Sequence, residues 1–252
     1  MATFLKGDCL EMMKGLPSGS VDCFIVDLPY GQLSKDTERA DKACGWDVKI
    51  DLSKFWVEVK RLCKDSHTPV IMFCNTRFGI DLINSNPSWF RYDLVWDKGH
   101  GVSFLLANKM PMKSHEMIYI FSKAGAHYNR IDVEKPGAPA WATKDKDLGK
   151  FKSVQYGVVR TEGSNVAGKR CPLSVIDIKG KFAGGHPTEK PVELYKWLIE
   201  RYSDADGVIL DPTAGSFNSC LAALELGRKC IGIEKDDSFF WTGVNKLNRW
   251  KR

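Results

Sequence analysis

The run Val21-Asp22-Cys23-Phe24-Ile25-Val26 stops abruptly at Asp27-Leu28-Pro29-Tyr30-Gly31, and no other stretch limits the fold as strongly. Consecutive β-branched and aromatic residues cut off by Pro and Gly predict a buried strand whose carboxyl end opens into a loop. A strand that is apolar on successive positions must be covered on both faces, which favours a sheet sandwiched between helices. In such open α/β sheets, ligands bind beyond the carboxyl ends of the strands. An acid, a rigid Pro and an aromatic placed there suit a planar substrate with hydrogens to donate. Taken alone, the tetrapeptide reads equally well as a strand-terminating turn with an Asp cap and a Tyr filling a groove.

The rest of the chain extends this pattern. Residues 69–74, 92–96 and 116–121 read as further strands, and 52–63 and 78–83 as helices. The helix at 52–63 carries Leu52, Phe55, Trp56, Val59 and Leu62 on one face. Strands alternating with helices predict a doubly wound, mostly parallel sheet. Between them, 32–49 is too polar for core and too long for a simple connection, so it reads as a mobile or substrate-ordered loop.

From 124 to 185 the periodicity lapses into Gly, Pro, Lys and short apolar patches. The formal charge of +6 is concentrated around this stretch. Residues 109–181 hold 14 Lys and Arg against 7 Asp and Glu, so the remaining chain is near neutral. A local basic excess is the footprint of a polyanion, most often nucleic acid. Trp141, Phe151, Tyr156 and Phe182 stand among the basic residues, either as stacking platforms for bases or as the small core of a lobe.

Regular patterning resumes at His186-Pro187-Thr188-Glu189-Lys190-Pro191, followed by a predicted helix from 192 to about 202, with Thr188 as its expected N-cap. Free amides at a helix start favour an anion such as a carboxylate. Then Gly207-Val208-Ile209-Leu210-Asp211 predicts a strand, Pro212 to Ser219 a turn, and the residues to 226 a helix. The next strand, 229–234, ends in Glu234 about 20 residues after the loop, where dinucleotide-type folds place the acid that accepts from ribose hydroxyls. There is no phosphate-cradling G-x-G-x-x-G, so the expected ligand is a nucleoside-like cofactor.

Exclusions narrow the class. The eight cysteines never form C-x-x-C and mostly lie in apolar runs, so they read as reduced core residues. The histidines offer no ligand pair, and no metal is implied. Nothing approaches the roughly 18 apolar residues of a membrane span. The chain reads as a soluble cytosolic protein without a signal peptide.

In combination and in this order, Asp27-Leu28-Pro29-Tyr30, the basic region, His186 to Pro191, Asp211 to Ser219 and Glu234 resemble the β class of S-adenosylmethionine-dependent DNA amino-methyltransferases, which modify adenine N6 or cytosine N4. The resemblance spans nearly the whole chain. It implies a Rossmann-like, doubly wound class I methyltransferase fold, circularly permuted, with an inserted target-recognition lobe at 124–185. The catalytic half would be 1–123 and the cofactor-binding half 186–252. Asp27 and the Leu28 carbonyl would accept from the target amine, Pro29 would hold the loop, and Tyr30 would stack on the flipped base. Asp211, Thr213, Gly215 and Ser216 would line the methionine and ribose side of the cofactor, and Glu234 would bind the ribose. Thr188 and Lys190 would hold the methionine carboxylate, His186 and Asp27 would also line the cofactor, and Asp8 would stand near the cofactor adenine with Cys9 and Leu10 packed beside it. The implied partner is double-stranded DNA in a bacterial or phage-infected cytoplasm, within or outside a restriction-modification pair. A homodimer is left open. Leu28 stands where the family often has Pro, Thr213 where it has Phe, and Phe217 where a second glycine is common. Asp27 in place of Ser leans the resemblance to adenine. Methylation of cytosine N4, of an RNA or protein amine, or a DNA-binding module with an inactive cofactor site are the alternatives.

Overall fold

Asp22 is half-buried, but the four residues after it are fully buried, and each face of the strand they form is covered by a different set of helices. In a computed structural model, the structure describes residues 1–31, 49–102, 104–134, 150–153, 157–160, 169–180 and 189–250. It divides into a large unit, Met1–Asn129 with Ser174–Arg252, and a small one, Arg130–Leu173.

The large unit is built on one eight-stranded sheet. Its strands are β1 (Ala2–Lys6), β2 (Cys23–Val26), β3 (Val70–Cys74), β4 (Phe90–Val102), β5 (Lys113–Phe121), β10 (Val175–Asp177), β11 (Val208–Asp211) and β12 (Lys229–Glu234). The small unit contains β6 (Val133–Glu134) paired with β9 (Lys169–Arg170), and β7 (Lys150–Ser153) paired with β8 (Gly157–Arg160). The order in the large sheet is β1-β12-β11-β2-β3-β5-β4-β10, parallel except where β5 runs against β3 and β4. Thus β12 and β11, from the last quarter of the chain, lie between β1 and β2 from the first.

Helices α1 (Cys9–Lys14), α2 (Leu52–Leu62) and α3 (Thr76–Ser85) cover one face, packing Met13, Phe55, Val59, Leu62 and Phe78 onto Phe24, Val26, Val70 and Met72. Helices α4 (Val192–Tyr202), α5 (Asn218–Glu225) and α6 (Asp237–Trp250) cover the other, packing Leu194, Leu198, Ala222 and Phe240 onto Cys23, Ile25, Ile71 and Phe73. The alternation within β2 and β3 explains their unbroken apolar sequence. Residue-level capping fixes the helix starts: Asp8 accepts from the Leu10 amide at 3.0 Å, Asp51 from Ser53 and Lys54, and Asn75 from Phe78.

Several expectations need correction. Strand β4 continues to Val102 and forms a long hairpin with β5, far beyond the predicted 92–96, because the polar residues after Trp96 still pair across the ladder. The boundaries of the lobe draw inward from 124–185, since β10 pairs with β4 in the main sheet. Pro191, without a side-chain cap bond, is the N-cap of α4, and Thr188 lies outside the described residues. So do residues 32–48 of the charged loop and, of the aromatics singled out in the basic region, Trp141, Tyr156, Phe182 and the Phe151 side chain. Among the described residues, no helix is long and apolar enough to cross a membrane.

Candidate active site

Strand order reverses between β11 and β2: the chain leaves β11 toward β12 on one side and β2 toward β3 on the other. Loops that diverge from adjacent parallel strands open a crevice between them, and ligands of doubly wound sheets bind there. A cleft of about 910 Å³ opens at this point. Its walls bring together Asp8, Cys9, Leu10, Asp27, Leu28, Pro29, Tyr30, Lys190, Thr213, Gly215, Ser216 and Glu234 from five separate stretches of sequence.

The two loops are joined directly. Thr213 Oγ1 donates to the Asp27 carbonyl at 3.1 Å. This explains why a hydroxyl is useful at the position where the family resemblance leads one to expect Phe. On the cofactor side, Gly215 has φ +50°, a conformation that favours glycine, and nothing lies within 4 Å of where a side chain would begin. Its amide donates to Glu234 Oε2 at 2.8 Å, while Glu234 Oε1 accepts from the Asp236 amide at 2.8 Å. Each Glu234 oxygen keeps a lone pair for a further donor.

Asp211 is placed otherwise than the sequence suggests. It is buried and absent from the cleft wall; its carboxylate accepts from the Thr213 amide at 3.0 Å and from Ser219 Oγ, bracing the loop from beneath. Burial pushes its carboxyl up to about 7, against the lowering effect of Ser219 and the Thr213 amide.

Phe217 takes the left-handed conformation a glycine would, at φ 59°. Its ring turns away from the cleft into the core, edge-on to Phe4 and Phe240 and against Gly232 and Gly243. The bulky residue therefore leaves the cleft free.

At the opposite wall stands an ionic cluster. Lys190, 4% exposed, donates to Asp27 Oδ2, and its Nζ lies 3.6 Å from Glu116 Oε2. Lys98 donates to Glu116 Oε1 at 2.7 Å. The Lys190 ammonium also lies 4.6 Å from the centre of the Phe73 ring. Burial pushes this ammonium down, but Asp27 and Glu116 outweigh it and leave it above its ordinary value. Glu116 shows the mirror image: burial raises it, and Lys190, Lys98 and Lys113 together bring it below the usual carboxylate range. Lys190 is thus committed to the carboxylate it neighbours, rather than standing free for a cofactor anion. Glu116 Oε2 is buried without a hydrogen-bond partner among the described residues.

Tyr30 donates from its hydroxyl to Asp27 Oδ1 at 2.9 Å, and its ring leans on Phe78, centroids 5.0 Å apart. Burial and the Asp27 charge hold the phenol well above its ordinary value, so it remains a donor. Leu28 is a core side chain and offers only its backbone to the cleft. Cys9 lines the wall, but burial and Asp8 push its thiol up to about 12, so it is no nucleophile.

Glu116, Glu189, Asn218 and Tyr195 were not legible as site residues. Asn218 donates to the Lys190 carbonyl at 2.8 Å and to Glu189 at 2.7 Å, tying the segment before α4 to the cofactor loop. The one available sign was Glu116 itself, a lone acid opening an otherwise apolar strand. His186 and Thr188 lie outside the described residues. Among described residues, the walls carry eight carboxylates against three lysines, an environment that favours a cationic ligand.

The family model described as DNA methylase, N6_N4_Mtase, matches residues 21–243. The chain is 28% identical over 252 residues to the DNA adenine methyltransferase YhdJ of Escherichia coli (strain K12), covering 98% of this chain and 82% of that protein. Its fold is similar to that of the M1.HpyAVI-SAM complex, with a TM-score of 0.62 at 19% identity over 98% of this chain and 100% of that one. It is also similar to PvuII DNA methyltransferase (cytosine-N4-specific), with a TM-score of 0.67 at 15% identity over 96% and 85%. With the match covering most of its length, the chain belongs to the S-adenosylmethionine-dependent DNA methyltransferases that act on adenine N6 or cytosine N4.

Proposed function

We propose that this chain transfers a methyl group from S-adenosylmethionine to the exocyclic amine of an adenine flipped out of double-stranded DNA. The observation that carries the reading is Asp27, whose carboxylate sits in the cleft wall between Tyr30 and Lys190, on a loop bonded to the Gly215 loop by Thr213. Asp27 in place of Ser, and the 28% identity to a protein named as an adenine methyltransferase, support adenine over cytosine.

The cleft suits the cofactor chemically. When bound, S-adenosylmethionine supplies an electrophilic methyl group on a cationic sulfonium, and the surplus of carboxylates favours that charge. Glu234 would accept from ribose hydroxyls. Ser216 and the open space above Gly215 would face the ribose and methionine side, and Asp8, Cys9 and Leu10 the adenine ring.

An exocyclic aromatic amine is a poor nucleophile, because its lone pair is delocalised into the ring. Hydrogen bonds from both amine hydrogens, to Asp27 and to the Leu28 carbonyl, favour the pyramidal nitrogen on which the lone pair is localised. Lys190 and Thr213 fix the Asp27 loop beforehand, so little reorganisation is needed when the amine arrives. The base must leave the helix to reach this depth, and Tyr30, supported from behind by Phe78, offers it a stacking surface. The basic region from 109 to 181 supplies charge for the DNA backbone, and the lobe within it is proposed as the target-recognition element.

The test is transfer of a radiolabelled methyl group from S-adenosylmethionine to unmethylated DNA, followed by digestion to nucleosides. The expected result is label in methyladenine, lost in Asp27→Ala while calorimetric binding of S-adenosylmethionine persists. Label in methylcytosine would overturn the choice of base. Near-normal turnover by Asp27→Ala would overturn the assignment of the site.

A further inference from the structure

The hairpin of β4 and β5 overshoots the rest of the sheet. Met117 pairs with Cys74, the last residue of β3, and Glu116 pairs with Trp96. The described residues of the hairpin beyond Asp97 and His115, 98–102 and 104–114, therefore run past the end of β3 on the edge where the cleft opens, because β4 is parallel to β3. Lys113 already stands three residues beyond Glu116, roughly 10 Å at strand spacing. The tip lies further out still.

That tip exposes a group of large apolar side chains: Phe104 at 72%, Leu105 at 83% and Met110 at 53%, with Leu106 and Met112 beside them. It is a formed structure. Phe104–Leu106 makes a 3-10 turn, and the Leu106 carbonyl accepts from the amides of Lys109 and Met110. Gly101 lets the Met112 side chain lie across the partner strand, since a Cβ there would meet it at 2.7 Å. From 98 to 115 the sequence has three lysines and no acid. Lys109 and Lys113 take no ion pair among the described residues, while Lys98 is held by Glu116.

An apolar knob flanked by Lys109 and Lys113, on the edge of the sheet where the cleft opens, fits one partner best. Resting on the proposed function above, we infer that the hairpin tip is a wedge that enters the DNA at the step next to the target base and holds the duplex open while the base occupies the cleft. Side chains such as Phe, Leu and Met unstack base steps in this way, and flanking lysines meet the phosphates on either side. A second copy of the chain fits less well. Five side chains fall far short of the roughly 20–30 residues a side of a stable interface, and the purely basic rim would face another basic rim.

The test compares the wild type with Phe104→Ala/Leu105→Ala on a duplex mapped as a substrate of the wild type, and on the same duplex with the target base left unpaired. Both side chains are solvent-exposed, so folding is retained. The variant is expected to methylate the paired duplex about tenfold or more slowly, the unstacking cost no longer being met by the wedge. On the unpaired target the loss should shrink to within about threefold. A 2-aminopurine at the target position should lose its fluorescence rise in the variant with the paired duplex only. Lys109→Ala should flatten the salt dependence of duplex binding by about one charge. Equal rates for variant and wild type on the paired duplex would overturn the wedge. So would an equal loss on both duplexes accompanied by a change from dimer to monomer in sedimentation, which would make the tip a contact between copies. A wild type that methylates no DNA at all would instead sink the enzymatic reading, and this inference with it.

Discussion

The ammonium of Lys190 is bound to the carboxylate of Asp27, 163 residues away in the chain, and Glu116 shares it from β5. Removing one member of such a buried cluster costs more than the pair contributes, because the charge left behind has lost its partner. Lys190→Met should therefore destabilise the fold by about 3–5 kcal/mol in chemical denaturation. Glu116→Gln keeps the shape and removes only a charge. Its transfer rate should fall by roughly 10–100-fold, the worth of a charged hydrogen-bonding partner, with S-adenosylmethionine affinity unchanged by calorimetry. A Glu116→Gln enzyme with an unaltered rate would show that Lys190 needs Asp27 alone.

Tyr30 combines two tasks that substitution can separate. Tyr30→Phe loses the bond to Asp27 but keeps the ring on Phe78, and should stay within about 1 kcal/mol of wild type in kcat/KM. Tyr30→Ala removes the stacking surface and should cost roughly 1–3 kcal/mol, appearing mainly in DNA affinity. Equal losses in the two variants would mean that the hydroxyl, not the ring, is what matters.

Asp211 predicts a pH dependence of stability. Its carboxyl rises from the ordinary 3.8 to about 7 on burial, so between those values the folded chain holds a proton that the unfolded chain has released. Stability contributed by this group is present below about pH 4 and falls as pH rises toward about 7. Asp211→Asn resembles the protonated form and has no such slope. Relative to wild type, the variant should gain stability between pH 5 and pH 8 in urea titrations; a constant difference would refute the buried, proton-holding carboxyl.

Gly243 should invert a familiar rule. Replacing a helical glycine by alanine ordinarily stabilises by about 0.5–1 kcal/mol. Here the new Cβ would meet the Phe217 ring at 2.2 Å, so Gly243→Ala should destabilise by about 1–3 kcal/mol through overpacking. Made in a Phe217→Ala background, the same change should cost little beyond the loss that Phe217→Ala causes by itself in thermal unfolding.

The sheet core and both loops of the cleft were legible because they are local. A buried strand ending in an acid and a turn announces itself in ten residues, as at Val26-Asp27 and Leu210-Asp211. What escaped depended on partners far away. Nothing near Lys190 says that its charge goes to Asp27 and Glu116. The reversed direction of β5 escaped too, since an apolar run carries no sign of which way it is threaded. How a Phe fits at 217, where the family commonly has glycine, is not legible nearby because the glycines that make room for it are at 232 and 243.

The interleaving of the two ends of the chain has a consequence for biosynthesis. The strands that separate β1 from β2, β11 and β12, are made long after both of them. Until then the first strand has no neighbour to pair with and Asp27 has no opposing loop. Folding must wait on contacts of very long sequence separation, which slows it. A nascent chain that lacks β11 and β12 therefore has only one side of the cleft, and the site is completed when those strands and their loops emerge.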